Sequence, residues 1–89
     1  MVEREIPVIN KLGLHARASA KLVQTTAPFK SKIMLAARGR EVDAKSIMGV
    51  MMLAAGVGST VVVRAEGEDA DAAVAAVVDL FARRFDEGE

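Results

Sequence analysis

Ser31-Lys32-Ile33-Met34-Leu35-Ala36-Ala37-Arg38-Gly39-Arg40-Glu41-Val42-Asp43-Ala44 sets two strand patterns in succession with no helix between them. Ile33 and Leu35 alternate with Lys32 and Met34, the period of a half-buried strand over Ser31 to Ala37. Arg38-Gly39 supplies a tight turn, and Arg40 to Ala44 follows as a short partner strand carrying Val42 inward. The stretch reads as a β-hairpin, so strand pairing here is antiparallel.

Upstream, Arg4 to Asn10 reads as a strand with Ile6 and Val8 facing the core. Glu3, Glu5 and Pro7 share its other side, and Pro7, lacking an N–H, suits a sheet edge. Asn10-Lys11-Leu12-Gly13 is a loop, and Leu14 is an apolar anchor. From Ala16 to about Ala27 the spacing is helical, with a stripe of Ala16, Ser19 or Ala20, Val23 and Thr26 or Ala27, and Leu22 beside it. Pro28 ends that helix. Downstream, Ser46 is an N-cap before a short helix, Ile47 to Leu53. Ala54 to Gly58 is a turn. Thr60 to Glu66 is the strongest strand, with Val61, Val63 and Ala65 on one face. Gly67-Glu68-Asp69 is a turn ending in a capping residue. A long helix follows from Ala70 to about Phe85, burying Ala73, Val74, Val77, Phe81 and Phe85. Asp69 and Asp71 at its start, and Arg83 and Arg84 near its end, complement its dipole. The order is strand, helix, strand, strand, helix, strand, helix, a split βαβ pattern that predicts an α+β fold of two layers.

Composition narrows the function. At 89 residues the chain is expected to be one domain spanning residues 1–89, with no repeats or linkers. Twelve basic and twelve acidic residues cancel, which argues against a nucleic-acid binder. The absence of cysteine excludes disulfides, thiolate catalysis and zinc–thiolate sites. No apolar leader opens the chain, and Ile47 to Val57 is too short and too glycine-rich to span a bilayer. A soluble cytoplasmic protein without membrane insertion is expected.

The chemistry gathers in Gly13-Leu14-His15-Ala16-Arg17-Ala18, which holds the one histidine of the chain. At a helix start the imidazole lies beside N–H groups that have no intrahelical acceptor. The positive end of the helix dipole opposes a second positive charge there, which favours the neutral, nucleophilic ring. Once phosphorylated, the ring would carry its charge next to those N–H groups and Arg17, whose planar guanidinium suits phosphoryl oxygens. Taken alone, a single histidine at a helix start fits an inert position as well as a nucleophile, and Arg17 alone reads as a solvated cation. With no second histidine or nearby carboxylate, no metal, cofactor or Ser-His-Asp triad is expected.

The stretch Gly13-Leu14-His15-Ala16-Arg17 resembles the active-site signature of the HPr phosphocarrier proteins of the bacterial phosphoenolpyruvate-dependent phosphotransferase system. Lys45-Ser46-Ile47-Met48-Gly49-Val50-Met51 resembles the second signature of that family, around its regulatory serine. The resemblance covers essentially the whole chain. It implies a four-stranded antiparallel sheet covered on one face by three helices, an open-faced β-sandwich in the order βαββαβα. It implies a carrier and not an independent enzyme: His15 would take a phosphoryl group on Nδ1 from enzyme I and pass it to an enzyme IIA-type acceptor, as in sugar transport. Arg17 would steady the group, with the backbone of Ala16, Arg17 and Ala18 contacting it. Ala18 departs from the family, which usually has proline there. The alanine form is similar to proteobacterial members, some of which serve nitrogen-related or regulatory branches through partner binding and the serine.

Ser46 alone reads as a cap. The resemblance makes it also a site for an ATP-dependent HPr kinase/phosphorylase, and so for carbon catabolite regulation. Val50 and Leu53 are expected in the core, while Ile47, Met48 and Met51 are candidates for an exposed docking patch; Met52 fits either side. Methionine suits a surface that meets several partners. Arg17, Lys21, Arg40 and Lys45 would rim it. A monomer making transient one-to-one complexes is expected.

Overall fold

A computed structural model describes residues 1–53 and 55–86. Ala54, the first residue of the expected turn, and the last three residues lie outside the described set. The elements are β1 (Val2–Pro7), α1 (Ala16–Thr26), β2 (Lys32–Ala37), β3 (Arg40–Asp43), α2 (Ile47–Met52), β4 (Thr60–Glu66) and α3 (Ala70–Ala82), followed by a single turn over Arg84–Asp86. The strands form one antiparallel sheet in the order β1-β4-β2-β3. The three helices pack on one face, and the other face is open.

The hairpin has the expected geometry. Arg38 and Gly39 both take left-handed φ values, 53° and 78°, the turn that matches the twist of the flanking strands. Leu35 pairs with Val42, and β3 ends one residue before the buried Ala44. β4 has the expected bounds, and burial of Val61, Val63 and Ala65 seats it in the middle of the core.

Strand β1 lies at an edge, where the missing N–H of Pro7 costs no ladder bond. It runs over Val2–Pro7 and not from Arg4 to Asn10, because its register is set by β4, from Val2 opposite Ala65 to Pro7 opposite Thr60. Val8 still exchanges bonds beyond the ladder, donating to Ser59 O (2.9 Å) and accepting from Gly58 N (3.0 Å). The buried side of α1 is Ala18, Ser19, Leu22 and Thr26, whereas Ala16 is exposed and Val23 half-buried. Of the expected stripe Ser19, Leu22 and Thr26 are buried, and the two hydroxyls find partners inside: Thr26 Oγ1 donates to Ala44 O (2.8 Å) and Ser19 Oγ to Leu14 O (3.3 Å).

Two expectations about α3 are corrected. The helix stops at Ala82, because Arg84, Phe85 and Asp86 all adopt positive φ, 54° to 61°. That turn brings the Phe85 ring back under the helix, edge-on to Phe81 with centroids 4.8 Å apart. Arg83 therefore lies at the C-cap and Arg84 beyond it, and Arg83 pairs with Asp79 (2.9 Å) and Asp86 (2.8 Å). Asp69 precedes the helix but its side chain caps nothing in it. Its carboxylate instead accepts from Ser31 Oγ, from Lys30 N (2.8 Å) and from Ser31 N (2.9 Å). The Ser31 hydroxyl first, then these N–H groups, hold its pKa down at about 2 against partial burial. This carboxylate ties the turn after α1 to the turn before α3.

On the open face, the Arg64 guanidinium reaches across the sheet to Glu3 and Glu41, and both carboxylates raise its pKa. Two hollows of about 190 and 500 Å³ also open on this side, away from the helices. Among the described residues no helix is long and apolar enough to cross a membrane, and no group of three metal-ligating side chains converges.

Candidate functional site

The site is built from the loop between β1 and α1. Asn10 is fully buried; its Nδ2 donates to Gly13 O (2.8 Å), and its carbonyl accepts from Gly13 N (3.1 Å). Gly13 has φ +64°, and a Cβ there would lie 2.5 Å from Ala55 O and 2.8 Å from Gly56 Cα. Only glycine permits that approach, because the obstacles are main chain. Leu14 is buried, donates to Ala55 O (3.0 Å) and accepts from Ser19 Oγ (3.3 Å). The two residues before the histidine are thus held through all of their main-chain polar groups.

His15 is itself the N-cap of α1. Its backbone is extended (φ −77°, ψ 179°), and its carbonyl accepts the first helical bond, from Ser19 N (2.8 Å). Its Nδ1 accepts from Arg17 N at 3.2 Å. An imidazole nitrogen that accepts carries the lone pair, so the neutral ring bears its proton on Nε2. The N–H groups of Ala16, Arg17 and Ala18 all precede the first intrahelical donor, Ser19 N, so this end of α1 presents positive charge to whatever sits on Nδ1. Ala16 and Arg17 are exposed and Ala18 is fully buried. The Arg17 guanidinium enters no ion pair among the described residues.

Ser46 is the N-cap of α2, with Oγ accepting from Gly49 N at 3.1 Å. Val50 and Leu53 are buried as expected, while Ile47, Met48 and Met51 are exposed, Met48 by 72%. Met52 also proves exposed, at 61%. The expected basic rim is thinner than its residues suggested. Lys21 Nζ donates to Phe85 O and Lys45 Nζ to Phe29 O, both at 2.6 Å, and Arg40 donates to Met52 O at 3.1 Å. Lys21 and Lys45 are half-buried by these contacts.

Sequence reading passed over Asn10 as a loop residue; its signal was an asparagine three residues before a glycine, a turn-forming combination. It also passed over Leu12 and Val57, apolar residues in loops that stand 66% and 58% exposed.

Comparison with known proteins agrees with this geometry. Residues 2–83 match the family described as "PTS HPr component phosphorylation site". The chain is 57% identical over 89 residues to the phosphocarrier protein HPr of Cupriavidus necator, covering 100% of both chains. It is 58% identical over 87 residues to that of Xylella fastidiosa, covering 98% of both. The crystal structure of HPr from Thermoanaerobacter tengcongensis superposes with a TM-score of 0.94 at 45% identity, covering 98% of each chain. With similarity of this degree over its whole length, the chain belongs to the HPr family, the phosphocarrier proteins of the phosphotransferase system.

Proposed function

We propose that His15 Nδ1 accepts a phosphoryl group from phospho-enzyme I and hands it to an enzyme IIA-type protein. The single observation that carries this is the bond from Arg17 N to Nδ1, which aims an unprotonated ring nitrogen at the start of α1. In the transfer the Nδ1 lone pair attacks phosphorus, the bond from phosphorus to the donor breaks, and its electron pair stays with the donor. Nδ1 can then no longer accept, so the Arg17 N–H is released from the ring to a phosphoryl oxygen. Ala16 and Ala18 N–H add to this cradle, and the Arg17 guanidinium closes over it. The reverse sequence delivers the group to the acceptor. The chain is a substrate of its partners, acting as a single domain, a cytoplasmic monomer.

Docking falls to Ile47, Met48 and Met51, joined by Met52, on the exposed side of α2. Lys21 and Lys45 add charge nearby, although their ammonium groups are engaged by carbonyls. Phosphorylation of Ser46 by an HPr kinase/phosphorylase would add about −1.5 to −2 charge at the edge of this patch. The Gly49 N–H would remain available to the modified oxygen, so the effect falls on docking and not on folding.

The test is incubation with phosphoenolpyruvate and enzyme I, read by phosphorus NMR and mass. One acid-labile phosphate on Nδ1 of His15 is expected. Equal labelling of His15→Ala would overturn the reading.

A further inference from the structure

We infer that Asn10 is a positioning residue for phosphoryl transfer, setting the direction of the His15 ring from inside the fold. The inference rests on the proposed role of His15. Asn10 is one of four buried polar residues among those described, and its side chain faces the loop and not solvent. It holds both main-chain groups of Gly13, the N–H with its own main-chain carbonyl and the carbonyl with its side-chain Nδ2. Gly13 is the residue whose left-handed φ turns the chain from the end of β1 toward α1. Leu14 follows, with its N–H on Ala55 and its carbonyl on Ser19. Beyond it His15 has an extended backbone, and only from that backbone does Nδ1 reach Arg17 N.

Each link passes an orientation to the next. Leu14 is fixed from the far side by main chain of the segment around Ala55. Gly13 is fixed by Asn10 alone among the described side chains. Without the Nδ2 donor, the Gly13 carbonyl is left buried and the Gly13–Leu14 peptide is free to rotate toward water. That rotation changes where the His15 Cα–Cβ bond points, and so the angle at which Nδ1 meets phosphorus. A misplacement on the order of 1 Å at a reacting atom costs roughly 100-fold in rate. The exposed residues of α2 are untouched by it, so partner affinity is unaffected.

The experiment compares the wild-type chain, Asn10→Ala and the isosteric Asn10→Asp as substrates of enzyme I with phosphoenolpyruvate. It is paired with nitrogen and proton NMR of the His15 ring and the Arg17 amide. Either variant that folds by circular dichroism is expected to lose roughly 10- to 100-fold in kcat with KM within about twofold. Its Arg17 amide resonance should move as the bond to Nδ1 is lost. A folded variant with wild-type kcat and an unmoved Arg17 amide overturns the inference, and so does a loss confined to KM. If the wild-type chain takes no phosphate, the role of His15 fails, while the NMR arm still reports whether Asn10 sets the ring.

Discussion

Replacing Gly13 by alanine would strike the turn that presents His15, and its cost follows from three local facts. The residue has φ +64°, a left-handed conformation that costs an L-residue about 1–2 kcal/mol. The new Cβ would stand 2.5 Å from Ala55 O and 2.8 Å from Gly56 Cα, and main chain cannot swing aside as a flexible side chain can. Relieving the overlap must push the Ala55 segment outward, loosening the 3.0 Å bond that Leu14 N donates to Ala55 O. Such a bond contributes about 0.5–1.5 kcal/mol, and steric overpacking about 1–3 kcal/mol. Alanine returns about 0.4–1 kcal/mol by stiffening the unfolded chain. The net loss is about 1.5–6 kcal/mol, a large share of the roughly 4–13 kcal/mol expected for a chain of this length. Urea titration at neutral pH should show it as a lowered midpoint with an unchanged slope, and heating as a drop of roughly 4–8 °C for each kcal/mol lost. Phosphoryl transfer should fall further than the unfolded fraction explains. A Gly13→Ala protein within about 0.5 kcal/mol of wild type would refute the close approach of Gly13 to Ala55.

Three further outcomes can be checked. Asp69 has its pKa lowered from 3.8 to about 2, so the folded state binds fewer protons than the unfolded one; the stability it adds is present above about pH 4 and lost as pH falls toward 2. Urea midpoints measured from pH 5 to 2 should decline in wild type and be flatter in Asp69→Asn; parallel curves would sink the clamp on Lys30 and Ser31. Ser46→Ala should cost about 1 kcal/mol by removing the cap on Gly49 N and should abolish ATP-dependent labelling by the kinase, which mass spectrometry would reveal. Ala18→Pro should raise stability by about 0.4–1 kcal/mol while removing one N–H from the start of α1, so its phosphohistidine should hydrolyse faster; an unchanged lifetime would take Ala18 out of the cradle.

Where local sequence and tertiary demand coincide, the chain could be read directly. Thr60–Glu66 opens on four β-branched residues and is flanked by Gly58 and Gly67, and the observed strand has the expected bounds. Ser46 before an apolar run is a cap in the structure as on the page. The errors fall where a distant residue decides. Phe85 continues the apolar spacing of α3, yet its ring is buried by a left-handed turn whose carbonyl is taken by Lys21, 64 positions away in sequence. Asp69 has the type and position of a helix cap, but N–H groups 38 and 39 positions distant outcompete the local ones. In α1 the expected Ser19, Leu22 and Thr26 are buried, but Ala16 and Val23 give way to Ala18, and Thr26 donates its hydroxyl to Ala44 O, 18 positions away. At the site, His15 and Arg17 were visible as residue types at a helix start. Their coupling was not, because it depends on the Asn10, Gly13 and Ala55 contacts that hold the loop.

That coupling gives the site its particular economy. In α2 the cap is a serine hydroxyl, Ser46 Oγ, one of the ordinary capping groups. In α1 the cap is the proposed nucleophile, so on that proposal one nitrogen both satisfies the Arg17 N–H and attacks phosphorus. On that proposal transfer would exchange one acceptor for another at the same N–H, and the helix would keep a cap in both states. The exposed Arg17 guanidinium, with no ion pair among the described residues to break, can join the phosphoryl group without disrupting the fold. Replacing the ring by an ordinary cap, as in His15→Ser, should preserve the helix while removing the chemistry. Circular dichroism and labelling measured on that one variant separate the two duties of His15.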